Sequence, residues 1–307
     1  MNENYIDMLR DLYTSRWSTI ITDHGPTSPH HIEAGLDQGE THAPILWRIF
    51  YDPLLYKIAK TKQHSGYTID TVIRHPTNMD LPAYRQPNFV NHLAFVDDTI
   101  WIANSKDSTE AILLTANKFF TTHDIEINFQ KTELLIVRKS SNLNSHPASV
   151  RFGDSEITSS KPNTPHRYLG IWITDTNNNK HTVKLINAEI DMMGKTVKNK
   201  PITDKLMSYI IRAVLHPSME YRTQGIYLSK PETEKLDSKV RSIFRTKANI
   251  SRSTGSKTIH HPDFYGIPKF EDIQFMARTS ELLYDLNSPN LEGTITRARM
   301  SQYQWDS

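Results

Sequence analysis

Two adjacent acidic residues, Asp97 and Asp98, lie between two runs of β-forming residues within the segment 91–103. Successive side chains on a straight strand point to opposite faces, so neighbouring carboxylates converge on one site only where the chain turns. Mg²⁺ takes oxygen ligands, and phosphoryl-transfer enzymes hold two such ions about 3.5 to 4 Å apart. The alternative is an ordinary hairpin turn, because Asp is a favoured turn residue.

Three further segments contain residue types that suit a phosphate-handling site. The segment 35–47 is a glycine-bearing loop that runs into a helix with Pro44 in its first turn, and glycine lets the backbone approach a ligand closely. Lys131 precedes a β-rich run at 133–137, and Tyr168-Leu169-Gly170 opens another at 168–174.

The elements before residue 175 mix strands and helices. β-rich runs bounded by Asn, Pro and Gly alternate with helical patterns, which predicts an α+β fold: a mixed or antiparallel sheet with helices on one face. One helix is predicted to begin at Asp107, with Glu110 three residues later as in a capping box. The sequence contains no P-loop, Gly-x-Ser-x-Gly elbow or dinucleotide fingerprint, so ATPase, hydrolase and dehydrogenase functions have no support.

A basic segment follows. The 307-residue chain has a net charge of +2, yet residues 180–257 contain 16 basic and 7 acidic residues, a net charge of +9. Such segregation indicates either a surface that binds a polyanion or a solvated helical face. The apolar spacing predicts a small helical bundle, with helical stripes at Val183, Ile186, Ile190, Met193 and Val197, then at Leu206, Tyr209, Ile210 and Ala213 after Thr203, and at Leu236, Val240, Ile243 and Phe244.

The composition also indicates the compartment. The chain has no Cys, which excludes disulfide scaffolds, Cys-ligated zinc, iron–sulfur clusters and thiol nucleophiles. We find no signal peptide and no apolar stretch long enough to span a bilayer. The expectation is a soluble protein that is intracellular, nuclear or cytoplasmic, and neither secreted nor bound to a membrane.

Taken in order, these segments resemble the reverse transcriptase family, and most closely the polymerases of non-LTR (LINE-like) retrotransposons. The segment 35–47 matches the family's glycine–glutamine–glycine motif, and Phe95-Val96-Asp97-Asp98 matches its aromatic-x-Asp-Asp box. Residues 128–132 match its Asn-x-x-Lys-Thr element, and Tyr168-Leu169-Gly170 matches its primer-grip hairpin. Several motifs in the right order are far more specific than any one of them.

The resemblance implies a role for each matched residue. Asp97 and Asp98 would be catalytic and would hold Mg²⁺, with Mn²⁺ as an alternative ion, and Lys131 would face phosphate or donate a proton to pyrophosphate. Gln38, Gly39 and Phe95 would border the nucleotide and template, and Tyr168, Leu169 and Gly170 would form the primer grip. The expected partners are an RNA template, a DNA primer and deoxynucleotides.

The resemblance also predicts three regions. Residues 1–175 would form a truncated palm, residues 176–250 a basic helical thumb-like region, and residues 251–307 a linker with a last helix. The thumb would contact the nucleic-acid backbone through Lys195, Lys198, Lys200, Lys205, Arg241, Arg245 and Lys247.

A third family aspartate, upstream of the glycine loop, has no counterpart that ends an apolar strand before Gly35. We therefore expect an N-terminally truncated polymerase that is inactive as an isolated chain, because a two-metal site that lacks a bridging ligand loses charge stabilisation. The alternatives are a non-catalytic nucleic-acid-binding protein derived from a retrotransposon, and a relic that does not fold stably.

Overall fold

The structure, a computed structural model, describes residues 3–32, 35–36, 39–60, 66–73, 84–137 and 148–306. Contacts divide the chain into two compact units, Met1–Tyr56 and Lys57–Ser307. Among the described residues, no helix has both the length and the apolar character that a membrane span requires.

The first unit contains a helix, a small hairpin and most of a second helix. The elements are α1 (Glu3–Tyr13), β1 (Arg16–Ser18), β2 (Ile21–Thr22), β3 (Gly25–Pro26), β4 (His30–Ile32) and α2 (Ala43–Lys60), whose end lies in the second unit. β1 pairs with β4 and β2 with β3, all antiparallel, so the two pairs form one interrupted hairpin. As the sequence predicts, Pro44 lies in the first turn of α2, where its missing N–H costs nothing.

After the end of α2, the described residues of the second unit continue with four antiparallel strand pairs and one helix. Its elements are β5 (Tyr67–Ile73), β6 (Tyr84–Val90), β7 (His92–Phe95), β8 (Asp98–Trp101), α3 (Lys106–Thr122), β9 (Ser149–Phe152), β10 (Ser155–Thr158), β11 (His166–Tyr168) and β12 (Ile171–Ile173). Each strand pairs with its neighbour in sequence, giving β5–β6, β7–β8, β9–β10 and β11–β12.

The α+β class is confirmed, with two differences in detail. Within the described residues every sheet has two strands, and the β-rich run 133–137 forms a single parallel bridge between Leu134 and Ser159. Helix α3 begins at Lys106 with Ser105 as its N-cap, and the Ser105 hydroxyl accepts the Ser108 N–H at 3.2 Å. The predicted start at Asp107 was wrong by one residue, because Ser105 also has an N-cap side chain and lies two residues earlier.

Seven α-helices follow among the described residues of the second unit. They are α4 (Lys180–Lys198), α5 (Asp204–Ile210), α6 (His216–Arg222), α7 (Lys230–Lys247), α8 (Ser256–His260), α9 (Phe270–Asn287) and α10 (Leu291–Asp306). Side chains from α4 to α9 share one apolar core. Ile186, Ile190 and Val197 of the predicted α4 stripe are buried there. This core crosses residue 250, so α8 and α9 pack with the helices before them.

Helices α5 and α6 are joined by a π-helical turn, Ile211–Leu215, and together form one helical segment. The Thr203 hydroxyl caps α5 by accepting the Leu206 N–H, as the sequence indicates. The predicted buried face of α5 was wrong: Met207 and Ile211 are fully buried, whereas Leu206 and Tyr209 are 47% and 63% exposed. Met207 and Ile211 keep the ordinary four-residue helical spacing, but the apolar residues of the segment 206–211 lie on two adjacent faces, so spacing alone does not say which face the core covers.

Buried polar side chains lie inside the helical core. Asp237 on α7 is 3% exposed, and its carboxylate accepts the N–H of Phe270 at the start of α9. Burial raises the pKa of Asp237 from 3.8 to about 6. Burial, reinforced by the nearby His260, lowers the pKa of His216 from 6.5 to about 4, and neither ring nitrogen of His216 has a hydrogen-bond partner.

These two shifts act on stability in opposite directions. The folded chain favours neutral Asp237, so this contribution to the free energy of unfolding is lost as pH rises from about 4 to 6. It also favours neutral His216, whose contribution is lost as pH falls from 6.5 to about 4. Each contribution is on the order of 3 kcal/mol, and in the unmodified chain they largely cancel.

We therefore expect opposite pH slopes from two single variants. In His216→Leu the free energy of unfolding should fall as pH rises from 4 to 6, and in Asp237→Asn it should rise over the same range. Urea unfolding at several pH values measures both slopes, with the unmodified chain as the reference. Equal slopes in the two variants would contradict this assignment.

Candidate functional site

Asp97 and Asp98 occupy the tip of the β7–β8 hairpin, as the sequence predicts. Phe95 pairs with Asp98, so Val96 and Asp97 are the two central turn residues. Val96 has φ +55° whereas Asp97 does not have a positive φ, the pattern of a type II′ turn. The first central position of that turn favours glycine. The β9–β10 turn of the same chain has glycine at this position: its two central residues are Gly153, with φ +59°, and Asp154.

A β-branched residue at positive φ is strained, at a cost of about 1 to 3 kcal/mol. Strain of this kind persists where the surrounding structure holds it, and it clusters at functional sites. Asp97 lies in the turn and so falls outside the alternation of the strands. Asp98, which follows it, is the first residue of β8. Both side chains are exposed, so the tip presents adjacent carboxylate oxygens to solvent.

The base of this hairpin is held by Asn91, which is 3% exposed. Its side-chain amide donates to the Ile58 carbonyl at 2.7 Å, which joins the hairpin to the end of α2 within the second unit. Its backbone carbonyl accepts the Ile102 N–H at 2.8 Å, which closes the base of the hairpin. Sequence reasoning missed this role, since nothing local marks a bond between residues 33 positions apart.

The predicted primer-grip residues approach the acidic hairpin. Tyr168, Leu169 and Gly170 close the β11–β12 hairpin, in which Leu169 and Gly170 have φ +47° and +83°, a type I′ pattern. The Tyr168 hydroxyl lies 3.5 Å from the Asp98 carbonyl oxygen. Burial, and then the negative charge of Asp98, raise the pKa of Tyr168 above its usual value. The structure therefore brings two motifs 70 residues apart into contact.

Lys131 lies in a turn that explains its motif. The Lys131 N–H reaches the Asn128 carbonyl at 3.0 Å and the Asn128 side-chain oxygen at 3.2 Å, and the Thr132 hydroxyl donates to the same carbonyl. An Asx-type turn of this kind fixes the backbone at the lysine. The Lys131 side chain is exposed. Glu133, two residues after Lys131, pairs with His166 of β11 at 2.5 Å, which joins this turn to the β11–β12 hairpin.

The glycine loop is described in part. Gln38 lies outside the described residues, and Gly39 has φ +98°. A Cβ at Gly39 would meet no atom within 4 Å, so the backbone conformation, and not crowding, calls for glycine here.

The predicted backbone-binding cations fall into two groups. Lys195, Lys198, Lys200 and Lys205 are exposed. The other three make contacts within the helical part of the chain, α4 to α10. Arg241 is 7% exposed and pairs with Glu234. Arg245 donates to the Thr254 carbonyl, and Lys247 donates to the Lys198 and Lys200 carbonyls at the end of α4.

The donor set at the hairpin tip fits a divalent cation in part. Carboxylate oxygens are the ligands that Mg²⁺ prefers, and Mg²⁺ commonly keeps several waters beside one or two carboxylates. Across the described ranges, no third Asp, Glu or His joins Asp97 and Asp98 in a metal-binding group. The tip therefore offers two exposed carboxylates, without a third ligand among the described residues.

Comparison with known proteins decides the family. The model of the reverse transcriptase (RNA-dependent DNA polymerase) family matches residues 3–173, more than half of the chain. The chain belongs to the reverse transcriptase family. It is also similar to a Retrovirus-related Pol polyprotein from type-1 retrotransposable element R2 of Popillia japonica, at 22% identity over 258 residues. This confirms the predicted resemblance to non-LTR retrotransposon polymerases.

The match to the R2 polyprotein covers 83% of this chain and 39% of the relative. The chain thus spans well under half of that relative's length. The acidic hairpin, the Asn128 to Thr132 turn and the β11–β12 hairpin all lie within the part that the family model matches.

The strain at Val96 leads to a test. We expect Val96→Gly to raise the free energy of unfolding by about 1 kcal/mol, because glycine adopts positive φ without a Cβ clash. Val96→Ala is the matched control, since it keeps the Cβ. Urea unfolding compares the two variants; a Val96→Gly chain no more stable than Val96→Ala would show that this turn holds no strain.

Proposed function

We propose that this chain is part of an RNA-directed DNA polymerase, in which Asp97 and Asp98 supply two carboxylates to a pair of Mg²⁺ ions. The single observation that supports this best is the acidic type II′ turn with Val96 at φ +55°, approached by the Tyr168 hydroxyl. A solvent-exposed turn that merely reversed the chain would have no need of a strained valine.

In this proposal the position of each residue determines whether it would bind the metal ions, a phosphate or the nucleotide. Bound Mg²⁺ would stabilise the attacking and leaving oxygens of nucleotidyl transfer. Asp97 and Asp98 would bind and orient the ions, while the exposed Lys131 side chain would bind a phosphate of the nucleotide or donate a proton to pyrophosphate. Gly39, together with Gln38, would border the incoming nucleotide, and Phe95, which is 61% exposed, would contact nucleotide or template.

The four exposed lysines at the end of α4 and the start of α5 would bind the phosphate backbone of template and primer. Lys195 and Lys198 lie in the last turn of α4, and Lys200 and Lys205 follow them. Arg241, Arg245 and Lys247 stay outside this proposed surface, because their guanidinium and ammonium groups already donate within the helical part.

The chain by itself would bind a metal ion weakly and would not extend a primer. Two carboxylates neutralise only part of the positive charge of two Mg²⁺ ions. No third ligand joins them in the part of the chain that the structure describes. This observation also favours the second candidate function, a nucleic-acid-binding protein without catalysis, which uses the same lysines.

The metal role is tested by Mn²⁺ binding measured by electron paramagnetic resonance. We expect Asp97→Asn to weaken Mn²⁺ binding by about tenfold or more, because a neutral amide replaces a charged ligand. Asp154→Asn is the matched control, since Asp154 occupies the same position in the β9–β10 turn without an acidic neighbour. Equal effects of the two substitutions would contradict a metal site at Asp97.

Primer extension on an RNA template with Mg²⁺ tests catalysis in the same samples. We expect no incorporation by the isolated chain. Incorporation that disappears in Asp97→Asn would contradict the expected inactivity and would establish polymerase activity for this chain alone.

The backbone-binding surface is tested by salt dependence. We expect Lys195→Gln/Lys198→Gln to weaken binding to an RNA–DNA hybrid and to reduce the slope of log K against log salt concentration by about 2, one for each lost phosphate contact. The neutral substitution avoids placing a negative charge at the C-terminus of α4. Lys118→Gln/Lys161→Gln, which removes two exposed lysines elsewhere, is the control, and an equal loss in this control would contradict a localised surface.

A further inference from the structure

Tyr221, on helix α6, contacts the primer-grip turn by two separate means. Its hydroxyl donates a hydrogen bond to the Leu169 carbonyl. Its ring lies so close to Gly170 that a Cβ there would be 2.9 Å from Tyr221 Cε1 and 3.2 Å from its hydroxyl oxygen. The turn is therefore held against α6 both by a hydrogen bond and by packing.

Helix α6 is itself fixed within the helical part. Glu189 on α4 accepts hydrogen bonds from the Ser218 hydroxyl and, at 2.8 Å, from Arg222. Just beyond α6, a Cβ on Gly225 would lie 2.8 Å from Ile171 of β12. A side chain on α6 thus has a defined position relative to both α4 and the β11–β12 hairpin.

The other side of the same turn reaches the acidic hairpin. Tyr168 precedes Leu169, and its hydroxyl lies 3.5 Å from the Asp98 carbonyl oxygen. Three consecutive residues, Tyr168, Leu169 and Gly170, therefore lie between α6 and the strand that begins with Asp98.

We propose that Tyr221 is a positioning residue: by holding the Leu169–Gly170 turn against α6, it fixes Tyr168 at the Asp98 carbonyl and so sets the orientation of the Asp97–Asp98 tip. The proposal rests on the proposed function, because the orientation of the tip matters for chemistry only when the two carboxylates hold a cation. It also makes the helical part and the metal-binding tip mechanically dependent on each other.

A purely local role for Tyr221 predicts a different result. If Tyr221 only packs α6 against the turn, its loss affects residues 168–171 and leaves β7–β8 unchanged. If it acts through Tyr168, its loss also loosens β7–β8. Tyr221→Phe removes the hydroxyl and keeps the ring, so it isolates the hydrogen bond.

The experiment measures amide hydrogen exchange across the full chain by mass spectrometry. We expect exchange of residues 95–102 to be about three- to tenfold faster in Tyr221→Phe and in Tyr168→Phe, with α4 and α7 unchanged. Because both act through one turn, the double variant should be little faster than either single variant. Tyr227→Phe, which alters a tyrosine that is 70% exposed, should leave exchange unchanged.

Either of two exchange results would overturn the proposal. One is unchanged exchange at residues 95–102 in Tyr221→Phe. The other is an equal increase throughout the chain, which would indicate general destabilisation. Gly170→Ala perturbs the same turn in a second way and is read out by the same exchange at residues 95–102. Its added Cβ would crowd the Tyr221 ring, and its backbone would have to keep φ +83°.

Mn²⁺ affinity separates this proposal from the proposed function. We expect Tyr221→Phe to weaken Asp97-dependent Mn²⁺ binding by about threefold. Unchanged affinity together with faster exchange would overturn the positioning role. Mn²⁺ binding that does not depend on Asp97 would contradict the proposed function, whereas the exchange data would still decide whether Tyr221 acts on the hairpin.

Discussion

Two carboxylates that follow each other in sequence face one cation only where strand alternation is broken, and here that break depends on the left-handed backbone of Val96. A two-stranded hairpin is marginally stable by itself, so it cannot hold a strained residue without help. Asn91 fixes its base to Ile58 and Ile102, and Tyr168 approaches the strand at Asp98. The tip is thus held from both ends by polar contacts that cross long stretches of sequence.

The features that the sequence predicts well are those with local causes. The α4 stripe, the Thr203 cap and the place of Pro44 in the first turn of α2 follow from helical period and capping chemistry, and each is present in the structure. The turn at Asp97 is also local, because two β runs flank it. Ordered motifs then indicated the family, which the comparisons confirm.

The features that the sequence does not predict arise from contacts between distant residues. Arg241 and Lys198 have the same positive charge and similar surroundings in the sequence, yet Arg241 is buried beside Glu234 and Lys198 is exposed. Tyr221 and Leu169 are separated by 52 residues, and no spacing rule relates them. The prediction of the buried face of α5 fails for a third reason, since apolar residues lie on two adjacent faces of the segment 206–211 and only the packing of the whole core decides which face is buried.

The π turn at Ile211–Leu215 also determines the direction in which the side chains of α6 point. Each residue of an α-helix advances the chain by about 100° around the helix axis, so a turn that holds one extra residue changes the direction of every side chain beyond it. Tyr221 lies six positions past that turn and points at the Leu169 carbonyl. Losing one residue between 211 and 215 would turn Tyr221 away from the Leu169 carbonyl, so this contact depends on the length of the π-helical segment as well as on the tyrosine.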